Sequence, residues 1–245
     1  MELRYQAIVL KKKEVGETDR LYTLYTLEQG KVQTVAKGVR KAEAKLAGQL
    51  ETLTFVQVII VKGRGTGKIA GAVAENTFLS LRTDFDVLRR ILETVNIFER
   101  LVGFDEPDTE LFALLKSYLT LTNNLASDGK KEKILLLTEG FLFQLFAHLG
   151  YRVETGTCAV SGEKLKPGEQ HFFSPAAGGL ISGHSESKAH GHETKNAIPI
   201  SENSIKLLRL FLANRLETLP RVQAGEKELR ELRQMASRFF QWISG

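Results

Sequence analysis

The period of the hydrophobic pattern changes once along the chain, near residue 80, and this change constrains the fold more than any other feature. Before it, apolar and polar residues alternate in short runs rich in Val, Ile, Thr, Tyr and Phe, which is typical of strands. Turns that contain glycine separate the runs. The pattern predicts five strands, in residues 4–13, 19–27, 31–37, 53–62 and 68–75.

The connection between the third and fourth runs differs from the others. Residues 40–49 are rich in Ala, Lys and Leu, a composition that favours a short helix. Five short strands with one helix after the third are the element order of the OB-fold, a small Greek-key barrel that binds oligonucleotides. Other five-stranded barrels share much of this order, so the order by itself does not decide the type of barrel.

From residue 84 onward the apolar residues recur at helical spacing, and about five helices are expected. Residues 134–149 are apolar nearly all round, which predicts a central buried helix that Gly150 ends. Ser201 is predicted to cap a later helix, with Ile200 and Ile205 as its hydrophobic staple.

These patterns together predict an α+β protein. The expected domains are an OB-fold in residues 1–78 and a helical domain in residues 79–245. Residues 156–198 fit neither period and contain several glycines, so they are expected to form either an inserted small motif or a mobile segment.

Composition excludes several classes of protein. Hydrophobic residues make up 42% of the chain and charged residues 26%, as in ordinary globular proteins. The longest apolar runs are too short to cross a bilayer, the N-terminus lacks a signal-peptide pattern, and the single cysteine excludes an intrachain disulfide framework. A cytoplasmic protein that does not act at a membrane is therefore expected.

Positive charge is concentrated in one small region. Between residues 31 and 70 there are eight Lys or Arg and two Glu, a net charge of +6, whereas the whole chain carries +5. Basic residues concentrated on a small sheet are typical of proteins that bind polyanions, because each neutralised phosphate releases counterions. The candidate phosphate-contacting residues are Lys37, Arg40, Lys41, Lys45, Lys62, Arg64 and Lys68.

Two alternatives accompany this interpretation. The lysines could form an ordinary solvated face, although the scarcity of counter-charges favours binding. Four aromatic residues in the strands could stack on bases or could fill the barrel, and filling the barrel is the more common use. These residues are Tyr5, Tyr22, Tyr25 and Phe55.

Signatures of catalysis are absent from the sequence, and no enzyme activity is expected. The glycines in residues 63–68 do not match the phosphate-binding loop Gly-x4-Gly-Lys-Ser/Thr, because Ile69 follows the lysine. They are better interpreted as a hairpin turn between two strands. Asp84 and Asp86 flank a predicted helix start and are expected to be caps or dipole partners rather than metal ligands. A second helix N-terminus is expected in the loop around Pro107, with Asp105, Glu106 and Asp108.

The stretch Cys158-Ala159-Val160-Ser161-Gly162 has the spacing of a zinc knuckle, with serine in place of the second thiolate. Serine does not replace a thiolate on Zn²⁺, which prefers four Cys or His ligands. Three histidines downstream could complete a ligand set, but their spacing matches no standard pattern. A remnant without metal is expected, and the histidines remain the alternative: His184, His190 and His192.

Several of these motifs, taken in order, resemble the RecO family of bacterial DNA repair and recombination-mediator proteins. In the first half the resemblance lies in residues 7–10 (AIVL), 16–20 (GETDR), 30–31 (GK), 36–41 (AKGVRK), 45–46 (KL), Gly48 and Leu50. In the second half it lies in Phe141, Leu145, 148–151 (HLGY) and 158–163 (CAVSGE).

The resemblance implies an OB-fold followed by a helical domain, without a catalytic centre or cofactor. It implies binding to single- and double-stranded DNA, annealing of complementary strands, and action with RecR in the RecFOR pathway. The family also binds the acidic C-terminal tail of single-stranded DNA-binding protein and so helps RecA onto coated strands. The rival interpretation is an RNA-binding OB-fold protein of translation or RNA metabolism.

By position, the resemblance places the DNA surface at Lys37, Arg40 and Lys41, with Lys45 beside them. Many members of the family hold zinc with four cysteines, and here Ser161 and Ser182 stand where two of them are expected. The resemblance does not place the tail-binding pocket, but docking on the helical half is predicted because the OB-fold would be occupied by DNA. Candidate apolar residues, each of which is more commonly core, are Phe141, Leu145, Leu208 and Phe211, with Lys131, Lys133, Arg209 and Arg215 nearby.

Overall fold

The computed structural model describes residues 1–41, 46–63, 65–183, 194 and 196–245. The chain divides into two compact units, residues 1–129 and 130–245. The boundary expected from the sequence, at 78/79, lies where the strands of the first unit give way to its helices. Among the described residues, none of the helices combines the length and apolar character needed to cross a membrane.

The first unit contains a closed five-stranded barrel of OB-fold topology. Its strands pair in the order β1-β2-β3-β5-β4, and β4 pairs back onto β1. The strands are β1 (Glu2–Val15), β2 (Asp19–Thr26), β3 (Gly30–Ala36), β4 (Phe55–Val61) and β5 (Lys68–Asn76). The sequence prediction of five strands and of an OB-fold is therefore confirmed.

The long first strand allows the barrel to close. Its first half pairs with β4 and its second half with β2, and the register shifts between Val9 and Lys11. Such an irregularity bends a strand and increases its twist, which lets one strand serve both sides of a barrel. The core inside consists of alternating residues, among them Ala7, Tyr22 and Val58.

The helix expected between β3 and β4 differs in the structure. In the part of this connection that the structure describes, only a 3₁₀ turn at Ala47–Gln49 is present. Leu46 and Ala47 pack against the barrel core, and Leu50 belongs to it. The apolar residues at the described end of this connection therefore pack onto the barrel core.

Two helices belong to the first unit, α1 (Phe85–Leu101) and α2 (Thr109–Ser127). Asp84 caps α1 by accepting from Val87 N–H at 3.0 Å, and Asp108 caps α2 by accepting from Leu111 N–H at 2.8 Å. The expected capping role of these two aspartates is confirmed.

Aromatic side chains join these helices to the outside of the barrel. Tyr25 of β2 packs edge-on against Phe98 of α1, with ring centroids 4.8 Å apart, and also contacts Phe112 of α2. Such contacts bury large apolar area and add a geometric preference. One outer face of the barrel is therefore covered by protein.

The second unit is mainly helical. Its helices are α3 (Lys131–His148), α4 (Glu202–Ala213) and α5 (Glu226–Ser244), with a 3₁₀ segment at Leu216–Arg221. The central position expected for α3 is confirmed, because it is buried along most of its length. Its core partners include Phe211 of α4 and Phe239 of α5.

The predicted ends of two helices are also confirmed. At the end of α3, Gly150 has a φ of +90°, and Tyr151 N–H donates to Phe146 O at 2.8 Å, which is a Schellman motif. At the start of α4, the Ser201 side chain accepts from Ser204 N–H, and Ile200 and Ile205 are both buried.

The region that fits neither period contains a small three-stranded sheet. It consists of β6 (His171–Ser174), β7 (Gly179–Ser182) and β8 (Ile198–Ile200), in the order β7-β6-β8. Of the two expectations for residues 156–198, the inserted small motif is the one that the described residues support. The three histidines considered as alternative ligands lie outside the described residues.

Candidate nucleic-acid interface

The basic turn, residues 37–41, follows directly after β3 and is fixed by the turn between β1 and β2. Asp19 Oδ1 accepts from Gly38 N–H at 2.8 Å, and Thr18 O accepts from Arg40 N–H at 3.0 Å. Val39 is only 1% exposed and belongs to the barrel core. The turn is therefore anchored by one buried valine, and its polar side chains are left outside.

Gly38 gives the turn its shape. Its φ is +63°, in the left-handed region that favours glycine, and Lys41 N–H donates back to Gly38 O at 3.1 Å. As a result, Lys37, Arg40 and Lys41 are all exposed at one end of β3. The structure thus brings together the three cations that the resemblance singles out.

The electrostatic balance at the turn is positive. The backbone N–H of Gly38 holds the pKa of Asp19 below its ordinary value, and Lys37 and Lys41 nearby lower it further. Arg40 Nε lies 3.3 Å from Glu14 Oε1, and Arg20 reaches the same oxygen at 3.8 Å. Exposed ion pairs of this kind are weak, so a phosphate can compete for Arg40.

The other predicted cations are placed less uniformly. Lys68 begins β5 and lies opposite Val35 of β3, two residues before the basic turn. Lys62 is exposed on the other side of the β4–β5 hairpin. The prediction that the glycines between these strands form a hairpin turn is confirmed. Lys45 and Arg64 lie outside the described residues.

Lys31, which contributes to the positive charge of the region, is not part of any binding surface. It is 5% exposed, and its Nζ donates to Glu99 O at 2.7 Å and lies 3.7 Å from Glu99 Oε1. A cation at the C-terminal end of a helix satisfies the last carbonyl groups and complements the helix dipole. Lys31 therefore ties β3 to α1.

The four aromatic residues considered for base stacking are buried, so the faces of their rings are not available to bases. Tyr22 and Tyr25 are at most 1% exposed, and Phe55 and Tyr5 are below one tenth. These residues therefore pack in the core of the barrel or between the barrel and the helices that cover its outer face. The sequence analysis missed Phe104, in the loop between α1 and α2, which is 48% exposed.

The knuckle, residues 158–163, is a tight turn around the sulfur of Cys158. Ser161 N–H and Ser182 N–H each lie 3.5 Å from Cys158 Sγ, and Gly162 N–H donates to Cys158 O at 2.8 Å. Cys158 is buried. Backbone N–H groups directed at one sulfur hold together the positions that a metal would otherwise join.

The donor set at the knuckle does not fit zinc. One thiol and two serine side chains lack the four Cys or His ligands that structural zinc requires. The Ser161 hydroxyl faces Glu163 N–H at 3.4 Å instead. Among the described residues, no group of three or more potential ligands (His, Cys, Asp or Glu) could hold a metal ion.

The apolar residues considered for tail docking are part of the core of the second unit. Phe141, Leu145, Leu208 and Phe211 are all fully buried. Lys133 Nζ, expected at the rim of a pocket, donates to Val222 O at 2.6 Å. These four side chains do not line an open pocket, so the alternative that they are core holds for them.

Comparisons with known proteins agree with this architecture. The family profile described as "Recombination protein O N terminal" matches residues 1–78, and the one described as "Recombination protein O C terminal" matches residues 91–245. An OB-fold barrel with an exposed basic turn defines a class of nucleic-acid-binding proteins. Within that class, the chain belongs to the RecO family of DNA repair proteins.

Relatives named "DNA repair protein RecO" cover most of the chain. The protein from Desulfitobacterium hafniense (strain DSM 10664 / DCB-2) is 30% identical over 231 residues, which are 93% of this chain and 81% of the relative. The protein from Heliobacterium modesticaldum is 30% identical over 232 residues, 94% and 80%. The protein from Myxococcus xanthus is 36% identical over 176 residues, 71% and 69%.

Proposed function

We propose that this chain is a DNA-binding recombination mediator without catalytic activity. It binds single- and double-stranded DNA, anneals complementary strands, and helps to load RecA onto strands coated with single-stranded DNA-binding protein. The observation that carries the proposal is the basic turn: three exposed cations on a loop that Val39 and Asp19 hold in place. Membership of the RecO family favours DNA over the RNA-binding alternative.

Annealing follows physically from charge neutralisation. Two strands repel each other through their phosphates, and a basic surface that displaces counterions lowers this repulsion while the bases pair. Nucleotide hydrolysis is not required for this step. The proposed DNA surface consists of the basic turn with Lys68 beside it and Lys62, Lys45 and Arg64 as further cations.

The proposed partners follow from the family. RecR and the acidic tail of single-stranded DNA-binding protein are expected to bind this chain directly, and RecA is affected indirectly. The second unit remains the proposed receptor for the tail, on exposed residues rather than on its core. We propose a cytoplasmic location associated with the nucleoid.

The test is an annealing and binding assay with a variant of the basic turn. Replacing Lys37, Arg40 and Lys41 by alanine should weaken binding of all sequences at least about 10-fold, because phosphate contacts carry no sequence information. The slope of log affinity against log salt on single strands should flatten by about 2, at roughly 0.7 for each phosphate that is no longer neutralised. Annealing should slow in parallel, without dependence on ATP.

The matched control removes the same charge from the second unit by replacing Lys164, Lys206 and Arg221, which are all exposed. This control should retain nearly full affinity. If both variants bind and anneal like the unmodified protein, the basic turn is not the DNA surface. A strong preference for RNA with no annealing would favour the rival function.

A further inference from the structure

The first unit carries a groove beside the start of β3. The β4–β5 hairpin and the loop after α1 form its other walls, and it encloses about 510 Å³. The residues that matter for its chemistry are Tyr5, Gln29, Gln33, Lys62, Thr66 and Phe104. It is open to solvent and large enough for one nucleotide base.

Phe104 lies in this groove with about half of its surface exposed, although exposure of a large aromatic ring is unfavourable in water. The residue is held in place by its backbone. Phe104 pairs with Lys31 in a short parallel bridge, and Asp105 N–H donates to Lys31 O at 3.0 Å. Lys31 Nζ lies 4.3 Å from the ring centroid.

Gly30 allows the loop to approach β3 so closely. A Cβ atom at this position would collide with the backbone oxygen of Glu106, and the φ of Gly30 is +71°. The loop that carries Phe104 is therefore fixed against the barrel before any ligand binds. A fixed ring loses little conformational freedom on binding, so little of the favourable stacking energy is offset by lost entropy.

A chain of hydrogen bonds fixes the polar groups of the groove. The Tyr5 hydroxyl donates to Gln29 Oε1 at 2.6 Å, and Gln29 Nε2 donates to Asp105 Oδ1 at 2.7 Å. Burial raises the pKa of Tyr5, and Glu28 and Asp105 raise it further, so the hydroxyl keeps its proton. Amide and hydroxyl groups in fixed positions suit the edges of a base.

The charges of the groove also favour a base over a phosphate. Its lining contains one cation, Lys62, and one carboxylate, Asp105, among the described residues. The Asp105 carboxylate would repel a phosphate placed next to it. The basic turn, in contrast, carries excess positive charge.

The two features lie on the same strand. Gln33 lines the groove and Lys37 begins the basic turn, four residues or about 13 Å further along an extended chain. This distance is the length of a few nucleotides. A strand bound through its phosphates at the turn can therefore place a base in the groove.

We propose that the groove binds one unpaired base of single-stranded DNA, stacked on Phe104. This inference rests on the proposed function and adds a preference to it. A base in a duplex is covered on both faces by its neighbours and cannot enter. The groove therefore distinguishes single-stranded from double-stranded DNA, whereas the basic turn binds both.

The test compares Phe104→Ala with Phe85→Ala. Phe85 is also in the first unit, is 78% exposed and does not line the groove. Loss of one stacked base should weaken binding to single strands about 5- to 150-fold. Duplex affinity and the salt slope should be unchanged for Phe104→Ala, and Phe85→Ala should match the unmodified protein in all three measurements.

A second pair of variants keeps the test decisive if alanine disturbs the fold. Phe104→Trp, made in a Trp242→Phe background, should retain affinity for single strands and lose fluorescence as bases stack on the indole. Phe104→Leu, which is apolar but cannot stack, should bind single strands as weakly as alanine. Equal affinity of the Leu and Trp variants would overturn the inference.

The outcomes separate the two proposals. If the unmodified protein binds no DNA at all, the proposed function fails. If it binds DNA through the basic turn but neither Phe104 variant affects single strands, only the groove inference fails. Equal losses on single strands and duplexes would assign Phe104 a general role in folding and would also overturn the inference.

Discussion

The basic turn and the knuckle are two tight turns that backbone hydrogen bonds to one side chain help to fix, with different outcomes. In the basic turn one N–H group, that of Gly38, donates to the Asp19 carboxylate, whereas in the knuckle the N–H groups of Ser161 and Ser182 are both directed at the Cys158 sulfur. The basic turn presents cations outward. The knuckle lacks the thiolates that would give it a function, yet its backbone persists.

The difference shows that the shape of a turn and its chemistry are separable. Hydrogen bonds to a single acceptor can hold a turn without any metal, because each buried N–H that finds a partner avoids a substantial desolvation penalty. Similarity of backbone to a zinc knuckle therefore says little about zinc. The side chains at the ligand positions decide.

The largest expected effect comes from restoring those side chains. The unmodified protein is expected to carry no stoichiometric zinc. Replacing Ser161 and Ser182 by cysteine should let the protein take up zinc, because three thiolates would then converge and water can fill the fourth position, as it does at catalytic zinc sites. Metal analysis of protein prepared without chelator, and the visible spectrum of the cobalt-loaded variant, measure this.

The zinc prediction has a clear contrary result. About one zinc in the unmodified protein, lost in Cys158→Ala, would mean that residues outside the described part of the chain complete a ligand set. The comparison between the two turns would then fail, since the knuckle would have kept its chemistry.

A smaller effect is expected when each turn loses its anchor. Cys158→Ala leaves two N–H groups without an acceptor and should lower the free energy of unfolding by about 2–4 kcal/mol. Val39→Ala removes two buried methyl groups and should cost about 2 kcal/mol. Urea titrations followed by circular dichroism give both values, and Cys158→Ser, which keeps an acceptor, should recover part of the loss.

The two anchors should differ in their effect on DNA. Val39→Ala is expected to weaken DNA binding because it loosens the basic turn, whereas Cys158→Ala should leave binding unchanged. Equal loss of DNA affinity in both variants would contradict the assignment of the DNA surface to the barrel.

The smallest expected effect concerns acid. Hydrogen bonds from Gly38 N–H hold the pKa of Asp19 below its ordinary 3.8, and those from Thr157 and Gly156 N–H hold the pKa of Glu154 below 4.5. Each carboxylate therefore stabilises its turn fully above its ordinary pKa. This contribution is lost as the pH falls through the lower pKa of the folded state.

Amide chemical shifts of Gly38 and Thr157 should follow these two titrations in nuclear magnetic resonance spectra. Asp19→Asn should abolish the acid-dependent shift at Gly38 and leave that at Thr157 intact. If the chemical shifts of both amides change with midpoints above the ordinary pKa values of Asp and Glu, the N–H groups do not stabilise the two carboxylates as described.

The strands of the barrel could be predicted within a few residues because their signals are local. Alternation of apolar residues and the glycines between runs depend only on neighbours in the chain. The caps at Asp84, Asp108 and Ser201 could be predicted for the same reason. The basic turn could be located because its cations are adjacent in sequence.

Features that depend on distant segments could not be predicted. Alternation placed Lys31 on the same polar face as Lys37, but the end of α1, about seventy residues later, buries it. Phe104 lies in a loop without periodicity, so nothing in the sequence distinguishes it from a core residue.

The closure of the barrel has a consequence for its motion. β3 and β5 are joined by a single registered pair, Val35 with Lys68, and by Val35 N–H to Gly67 O at 3.3 Å, whereas the other neighbouring strands share seven or more pairs. Local opening favours the place with the fewest bonds. The Val35 amide should therefore exchange with solvent faster than amides elsewhere on β3.

DNA would bind across this opening. Lys68 stands on one side of it, and the basic turn continues the other side, so a bound strand would link the two edges. A ligand that binds only the closed form stabilises it in proportion to occupancy. DNA should accordingly slow hydrogen exchange at the Val35 amide. The β3–β5 contact would then open least often while DNA is bound.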